Sequence, residues 1–105
     1  MRGLNIPIDE IAAKKDGFYM AVAGSSKGKQ LFVIGSDGRG TAYGILELSR
    51  LAGVSPWVWW GDVTPEKQNR LAVADTFQTF QSPSVEYRGI FLNDEDWSLQ
   101  PWSWK

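Results

Sequence analysis

The chain predicts a small α+β (α/β) unit in which a mixed sheet carries one main helix, followed by a further strand and a tryptophan-rich tail. Three observations predict it. Two β-prone apolar runs, Phe18 to Ala23 and Gln30 to Gly35, flank the turn-rich Gly24-Ser-Ser-Lys-Gly-Lys29. Ala42, Ile45, Leu46, Leu48, Leu51 and Ala52 recur at helical spacing between Thr41 and Gly53. Ile90-Phe91-Leu92 is continuously apolar, which suits a strand covered on both faces, as in a parallel sheet or a barrel.

Taken in order, Asn5 to Lys15 reads as a short helix, with Asn5 as its cap, Pro7, Asp9 and Glu10 in the first turn and Lys14 and Lys15 near the end. The two apolar runs then form a hairpin or a short strand pair. Gly35 to Gly40 breaks the chain, and the main helix begins with Thr41 as cap, carries Arg50 in its last turn and stops at Gly53. Val54 to Asp62 holds Trp57, Trp59 and Trp60 between Pro56 and Gly61, too short a span for a helix, and reads as a loop with a partly buried aromatic core. One or two strands are expected within Arg70 to Phe80. Ser82-Pro83-Ser84 marks a boundary, so the expected division is residues 1–82 and 83–105, with Val85 to Leu92 as the last strand.

A chain of 105 residues, 43% hydrophobic and 22% charged, builds one compact core at most. Its formal net charge of −1, with basic residues scattered along the sequence, favours neither nucleic acid nor an acidic membrane surface as a partner. Histidine and cysteine are both absent. That excludes disulfides, histidine-dependent nucleophile systems and the common zinc ligand sets, and no cofactor or metal is expected; any chemistry must come from carboxylates. No charged-then-apolar leader follows Met1, and no apolar run nears the ~18 residues of a membrane span, so the sequence reads as soluble and without an address.

Two patterns imitate phosphate-binding signatures. Gly24-Ser-Ser-Lys-Gly-Lys-Gln30 lacks a residue of the phosphate loop, and Gln30 replaces its magnesium-holding hydroxyl; a plain turn is favoured. Gly38-Arg-Gly-Thr-Ala-Tyr-Gly44 follows a strand and opens a helix, but Tyr43 stands where a dinucleotide fingerprint needs glycine. A tight strand-to-helix turn is favoured there too, although backbone amides at such a helix start are able to bind an anion.

The tryptophans have two readings. Large aromatics usually pack in a core or between domains, and neighbouring Trp59 and Trp60 cannot face the same way in extended chain. Alternatively at least one indole is a platform for the C–H face of a sugar ring, with Asp62 at the polar edge. Asp94, Glu95 and Asp96 ordinarily read as a solvated acidic loop. Their position, directly after the most apolar strand and before Trp97, Trp102 and Trp104, instead suits carboxylates presented to a pocket at the tip of a barrel strand. Glycoside hydrolysis needs two carboxyl groups about 5 Å apart for retention or about 6.5–9.5 Å for inversion, which neighbours on one loop seldom provide. The sequence therefore reads as part of a larger enzyme, with one of Asp94 or Glu95 as a single partner or a holder of a substrate hydroxyl.

The blocks Gly35-Ser-Asp-Gly-Arg-Gly-Thr-Ala-Tyr-Gly-Ile-Leu-Glu-Leu-Ser-Arg, Gly53-Val-Ser-Pro-Trp-Val-Trp-Trp-Gly-Asp-Val and Pro83-Ser-Val-Glu-Tyr-Arg-Gly-Ile-Phe-Leu-Asn-Asp-Glu-Asp-Trp-Ser-Leu-Gln-Pro-Trp resemble glycoside hydrolase family 115. Its members are xylan α-1,2-glucuronidases that remove glucuronic acid or its 4-O-methyl ether with inversion, and they join an N-terminal α/β domain to a (β/α)₈ barrel. The resemblance implies that residues up to about Thr79 are the later part of the first domain and that Tyr87 to Asn93 is the first barrel strand. It places Asn93 and Asp94 at the end of that strand, facing substrate, with Glu95 in the same motif and Trp57, Trp59 and Trp60 near the domain junction. Val58 stands where many relatives would have an aromatic residue.

The general acid and base would lie outside the chain, so no catalytic residue is assigned within it, and the chain alone is expected to be inactive on its implied substrate, glucuronoxylan. The parent enzyme is expected in the periplasm or secreted. The other reading is a stand-alone carbohydrate-binding or protein-interaction module using the Trp57 to Trp60 surface. A strand at Tyr87 to Leu92 with an unpaired edge and two apolar faces would join the small sheet, stay disordered or drive self-association.

Overall fold

The computed structural model describes residues 5–58, 60–91 and 93. Helix α1 spans Ile8–Ala12, strand β1 Phe18–Ser25, strand β2 Gly28–Gly35, helix α2 Gly38–Leu51 and strand β3 Gln78–Gln81, with a single 3₁₀ turn at Pro56–Val58. The strands form one sheet in the order β2-β1-β3, antiparallel at both joints, and not the mixed sheet that the sequence predicts. The β1–β2 hairpin closes through Ser26 and Lys27, and Gly28 takes a φ of 104° that a side chain would resist, which lets both strands run longer than their apolar cores. Phe77 O accepts from Val22 N at 3.1 Å and extends the pairing of β3 with β1 by one step.

Side chains alternate across the sheet, so directly paired residues share a face. Phe18 and Met20 on β1 lie with Val33 and Gly35 on β2 beneath α2. On the opposite face Tyr19 and Ala21 pack with Ile34, and Ile11 from α1 joins their cluster together with Ile6. The central strand β1 thus supplies Phe18, Tyr19, Met20 and Ala21 to two thin cores, and Ile11 is the other buried apolar residue among those described.

The helices differ from the sequence expectation in informative ways. In α1 the N-terminal position is Pro7, with no side-chain cap, in place of Asn5. The residue before a proline is held out of the helical region, so Ile6 cannot be its first turn. Helix α2 starts three residues before Thr41, at Gly38, capped by Asp37. Its C-terminus behaves as read: Gly53, at a φ of 101°, donates to Arg50 O and Val54 N donates to Ser49 O, both at 3.0 Å, a Schellman closure.

The expected apolar face of α2 is turned largely outward. Gly40 and Gly44 are its buried residues, while Ile45 and Leu46 are 55% and 64% exposed. The packing surface is a pair of glycines one turn apart, because only that face lets the helix backbone approach the sheet. A Cβ on Gly40 would meet Gly17 O at 2.1 Å, and one on Gly44 would meet Val33 Cγ1 at 2.5 Å. Beyond the helix, Glu47 accepts two 2.7 Å bonds from Arg50 and a 3.2 Å bond from Gln81 on β3, which ties α2 to the far strand.

The strand expected over Val85 to Leu92 is not formed among the described residues, which run as turns and irregular chain through Phe91. Tyr87, Ile90 and Phe91 are 86%, 74% and 89% exposed. Apolar composition alone does not make a strand: its N–H and C=O groups need a neighbouring strand, and none of the described strands lies beside this segment.

Where β1 begins, β2 ends and α2 starts, the backbones are joined by side chains. Asp37 Oδ1 accepts from Gly40 N at 2.7 Å and its Oδ2 from Asp16 N at 2.8 Å; Gly17 N donates to Ser36 Oγ at 3.0 Å, and Ser36 N to Gly17 O at 2.8 Å. These two backbone donors hold the Asp37 carboxyl below the usual carboxylate range.

Two predictions follow from this packing. Gly40→Ala places a methyl against a backbone carbonyl that cannot move aside, so it lowers Tm by about 10 °C or more, whereas Gly38→Ala, which meets nothing within 4 Å, stays within a few degrees of the parent in a thermal melt. Asp37 contributes its stabilisation in full above about pH 4 and loses it as the pH falls through its depressed folded-state value. Asp37→Ser caps the helix without titrating, so its Tm falls less than that of the parent between about pH 5 and about pH 2.5. Parallel acid limbs for the two proteins would contradict that account.

Candidate functional site

At the same junction the turn before β1 presents a carboxylate with an unusual setting. Asp16 sits at a φ of 57°, a left-handed conformation, and its side chain is 1% exposed. Burying a carboxylate demands counter-charge. Arg39, from the first turn of α2, places Nε 2.9 Å from Oδ1, and Arg88 donates from Nη2 to Oδ2 at 2.8 Å. The Arg39 contact is an ion pair without an aligned N–H, so Oδ1 makes no hydrogen bond.

Arg88 reaches this carboxylate from the irregular segment that precedes Asn93. Its guanidinium lies 5.7 Å from the centre of the Tyr43 ring, and its Nη1 donates to Val85 O at 2.6 Å and to Glu86 O at 3.3 Å. Asp16 first, and then Tyr43, hold the guanidinium pKa above its ordinary value. Lys15 donates to Glu86 at 2.7 Å and its ammonium lies 6.0 Å from the Tyr87 ring. Asp16, Phe18, Tyr43, Gln81, Pro83 and Arg88 line a cleft of about 310 Å³ between the sheet end and this segment.

Of the residues singled out from the sequence, Trp57, Trp60 and Asn93 lie within the described chain, and Trp59, Asp94 and Glu95 lie outside it. Trp57 and Trp60 are 64% and 49% exposed, so the described tryptophans of the aromatic loop do not form the partly buried core expected of it. They form an open apolar groove of about 490 Å³ with Pro56 and Ile90. The tryptophan loop and the segment leading to Asn93, some thirty residues apart in sequence, therefore meet along one surface. Asn93 itself is exposed.

The glycine-rich turn at the start of α2 is filled from within. Asp37 already occupies the amide of Gly40, and Gly17 lies against the backbone at that position, so the anion site open to the sequence reading is taken by the chain's own carboxylate. No helix among the described residues is long and apolar enough to cross a membrane, and no metal-sized cluster of carboxylates occurs among them.

Asp16, Arg39 and Arg88 escaped the sequence reading. Asp16 follows the Lys14 and Lys15 that the sequence reading places at the end of the first helix, and its partners lie 21 to 72 residues away. The one local signal is the Asp-Gly pair, which favours left-handed backbone.

A model of the family described as glycosyl hydrolase family 115 matches residues 80–105. A search of curated proteins returns no match. A solved structure of a family GH115 4-O-methyl-α-glucuronidase, BtGH115A, described as having specificity for decorated arabinogalactans, is similar with a TM-score of 0.78 and 61% identity. That match covers 94% of this chain and 13% of the neighbour's, so the chain spans about an eighth of the enzyme it resembles. Identity at that level across nearly all of the described fold, joined to the family match over the segment that carries Asn93, shows that the chain belongs to glycoside hydrolase family 115.

Proposed function

We propose that this chain is the junction between an α/β domain and a catalytic barrel in a longer glycoside hydrolase that removes 4-O-methylglucuronic or glucuronic acid from a decorated polysaccharide. The observation that carries this reading is the 61% identity to a 4-O-methyl-α-glucuronidase over 94% of the chain. In this proposal residues 1–82 belong to the first domain and 83–105 begin the barrel, and Tyr87 to Asn93 becomes its first strand once a neighbouring strand satisfies its backbone.

Asn93 and Asp94, with Glu95 beside them, would face the sugar at the carboxyl end of that strand, where barrel enzymes build their sites. The amide of Asn93 both donates and accepts, which suits a sugar hydroxyl, and a carboxylate orients further hydroxyls. An inverting reaction needs a general acid and a general base about 6.5–9.5 Å apart, and both would come from other barrel strands. The resemblance favours glucuronoxylan as substrate, and the neighbour's described specificity adds decorated arabinogalactan as the competing class.

The exposed Trp57 and Trp60 support a second reading, a carbohydrate-binding surface or an interaction module in its own right. An indole face of that size can stack on a pyranose ring. Exposed Ile90 and Phe91 also suit self-association of the chain, which sedimentation would detect as dimer or higher species at raised concentration and would lose in Phe91→Asp.

Incubating the native polypeptide that carries this chain with glucuronoxylan and with decorated arabinogalactan should release 4-O-methylglucuronic acid from at least one, and the 105-residue chain alone should release none. Release by the chain alone would refute the division of the site between this chain and other barrel strands; no release by the native polypeptide from either would refute the glucuronidase reading. Titrating the chain with xylo-oligosaccharides gives the other arm. A saturable tryptophan fluorescence change that disappears in Trp57→Ala would favour the binding module.

A further inference from the structure

We propose that Asp16 is a positioning residue for the site at Asn93, acting through Arg88. The functional half of this proposal rests on the glucuronidase reading; the structural half stands on the contacts alone. Asp16 is fixed before any partner arrives. Its amide is held by Asp37, its neighbour Gly17 is bonded to Ser36 in both directions, and its carboxylate is almost wholly withdrawn from water at the end of the central strand.

Arg88 converts that fixed carboxylate into an anchor for another segment. One nitrogen of the guanidinium binds Asp16 while another binds the carbonyls of Val85 and Glu86, so a single planar group ties the backbone of residues 85–88 to the sheet end. Lys15 adds its ion pair with Glu86 from the same turn, but that pair is more than half exposed and screened by solvent. The buried pair therefore dominates. Among its described residues the segment has no regular structure of its own to fix its course, and four residues separate Arg88 from Asn93, a reach of at most about 18 Å over the five intervening Cα steps. Releasing the anchor loosens the segment that leads to Asn93, where a substrate-facing group tolerates displacement by only a fraction of an ångström.

A purely structural ion pair would stabilise the fold without steering the segment, and the test separates the two. Arg88→Ala leaves Asp16 with Arg39 and is the primary variant; Asp16→Asn keeps the shape and removes the charge. In the 105-residue chain, backbone NMR order parameters for Glu86 to Ile90 should fall from about 0.8 to below about 0.6 in both variants, while β1 and β2 stay near 0.85. Unchanged order at 86–90 in folded Arg88→Ala overturns the anchor.

In the native polypeptide, assayed well below the variant's own Tm, Arg88→Ala should lower kcat/KM about 10- to 100-fold, and Arg88→Lys should recover part of the loss. Loosened order with unaltered kcat/KM overturns the positioning role and leaves a structural tether. If the unaltered native polypeptide releases no uronic acid, the glucuronidase reading fails, and the order parameters still decide the anchor.

Discussion

The junction of Asp16, Gly17, Ser36, Asp37 and Gly40 is the constraint on which the remaining structure depends, because it is where the two long strands and the main helix are brought to a common register. Asp37 bridges the first turn of α2 and the entry to β1 with one carboxylate, and Ser36 and Gly17 exchange bonds across the end of the hairpin. Gly40 then brings the helix backbone against the carbonyl of Gly17, closer than any side chain would permit. A helix start, a strand start and a strand end that would each leave unpaired backbone groups satisfy one another here. The cost is a second carboxylate, Asp16, drawn out of water beside Asp37, and Arg39 and Arg88 offset it.

The sheet and helix that this junction organises enclose little apolar volume. Beneath α2 and above α1 the buried apolar side chains come from β1 and Ile11, while Ile45, Leu46, Leu51, Trp57, Trp60 and Leu71 stay largely in water. Exposed apolar residues in such number mark surfaces that pack against something else. Helix α2 is the clearest case: it spends its glycine face on the sheet and presents its larger apolar residues outward. A chain that spans 13% of the family member it resembles, and whose outward faces are apolar, accords with a unit that is one layer of a larger body.

The site follows the same logic. The tryptophan loop and the segment before Asn93 meet through Pro56, Trp57, Trp60 and Ile90, and that segment is held at its other end by Arg88. The glycine-rich turn that mimics a nucleotide fingerprint is a packing device whose amide is already occupied by Asp37. What the residues at this end of the fold hold is therefore the backbone of residues 85–88, and not a phosphate.

The sequence by itself determined the hairpin, the helix with its stop at Gly53 and the family, because each rests on short-range chemistry or on ordered blocks of residues: β-prone runs around a turn, and a glycine that takes a positive φ. Tertiary structure decided the rest. Which face of α2 is buried depended on the close approach that Gly40 and Gly44 allow, a property of two backbones and not of hydrophobic spacing. The apolar run at Ile90 and Phe91 stays irregular because a strand is made by its neighbour and not by its own composition. Asp16 acquired its partners from α2 and from a segment 72 residues away, and no local pattern records an ion pair that only folding assembles.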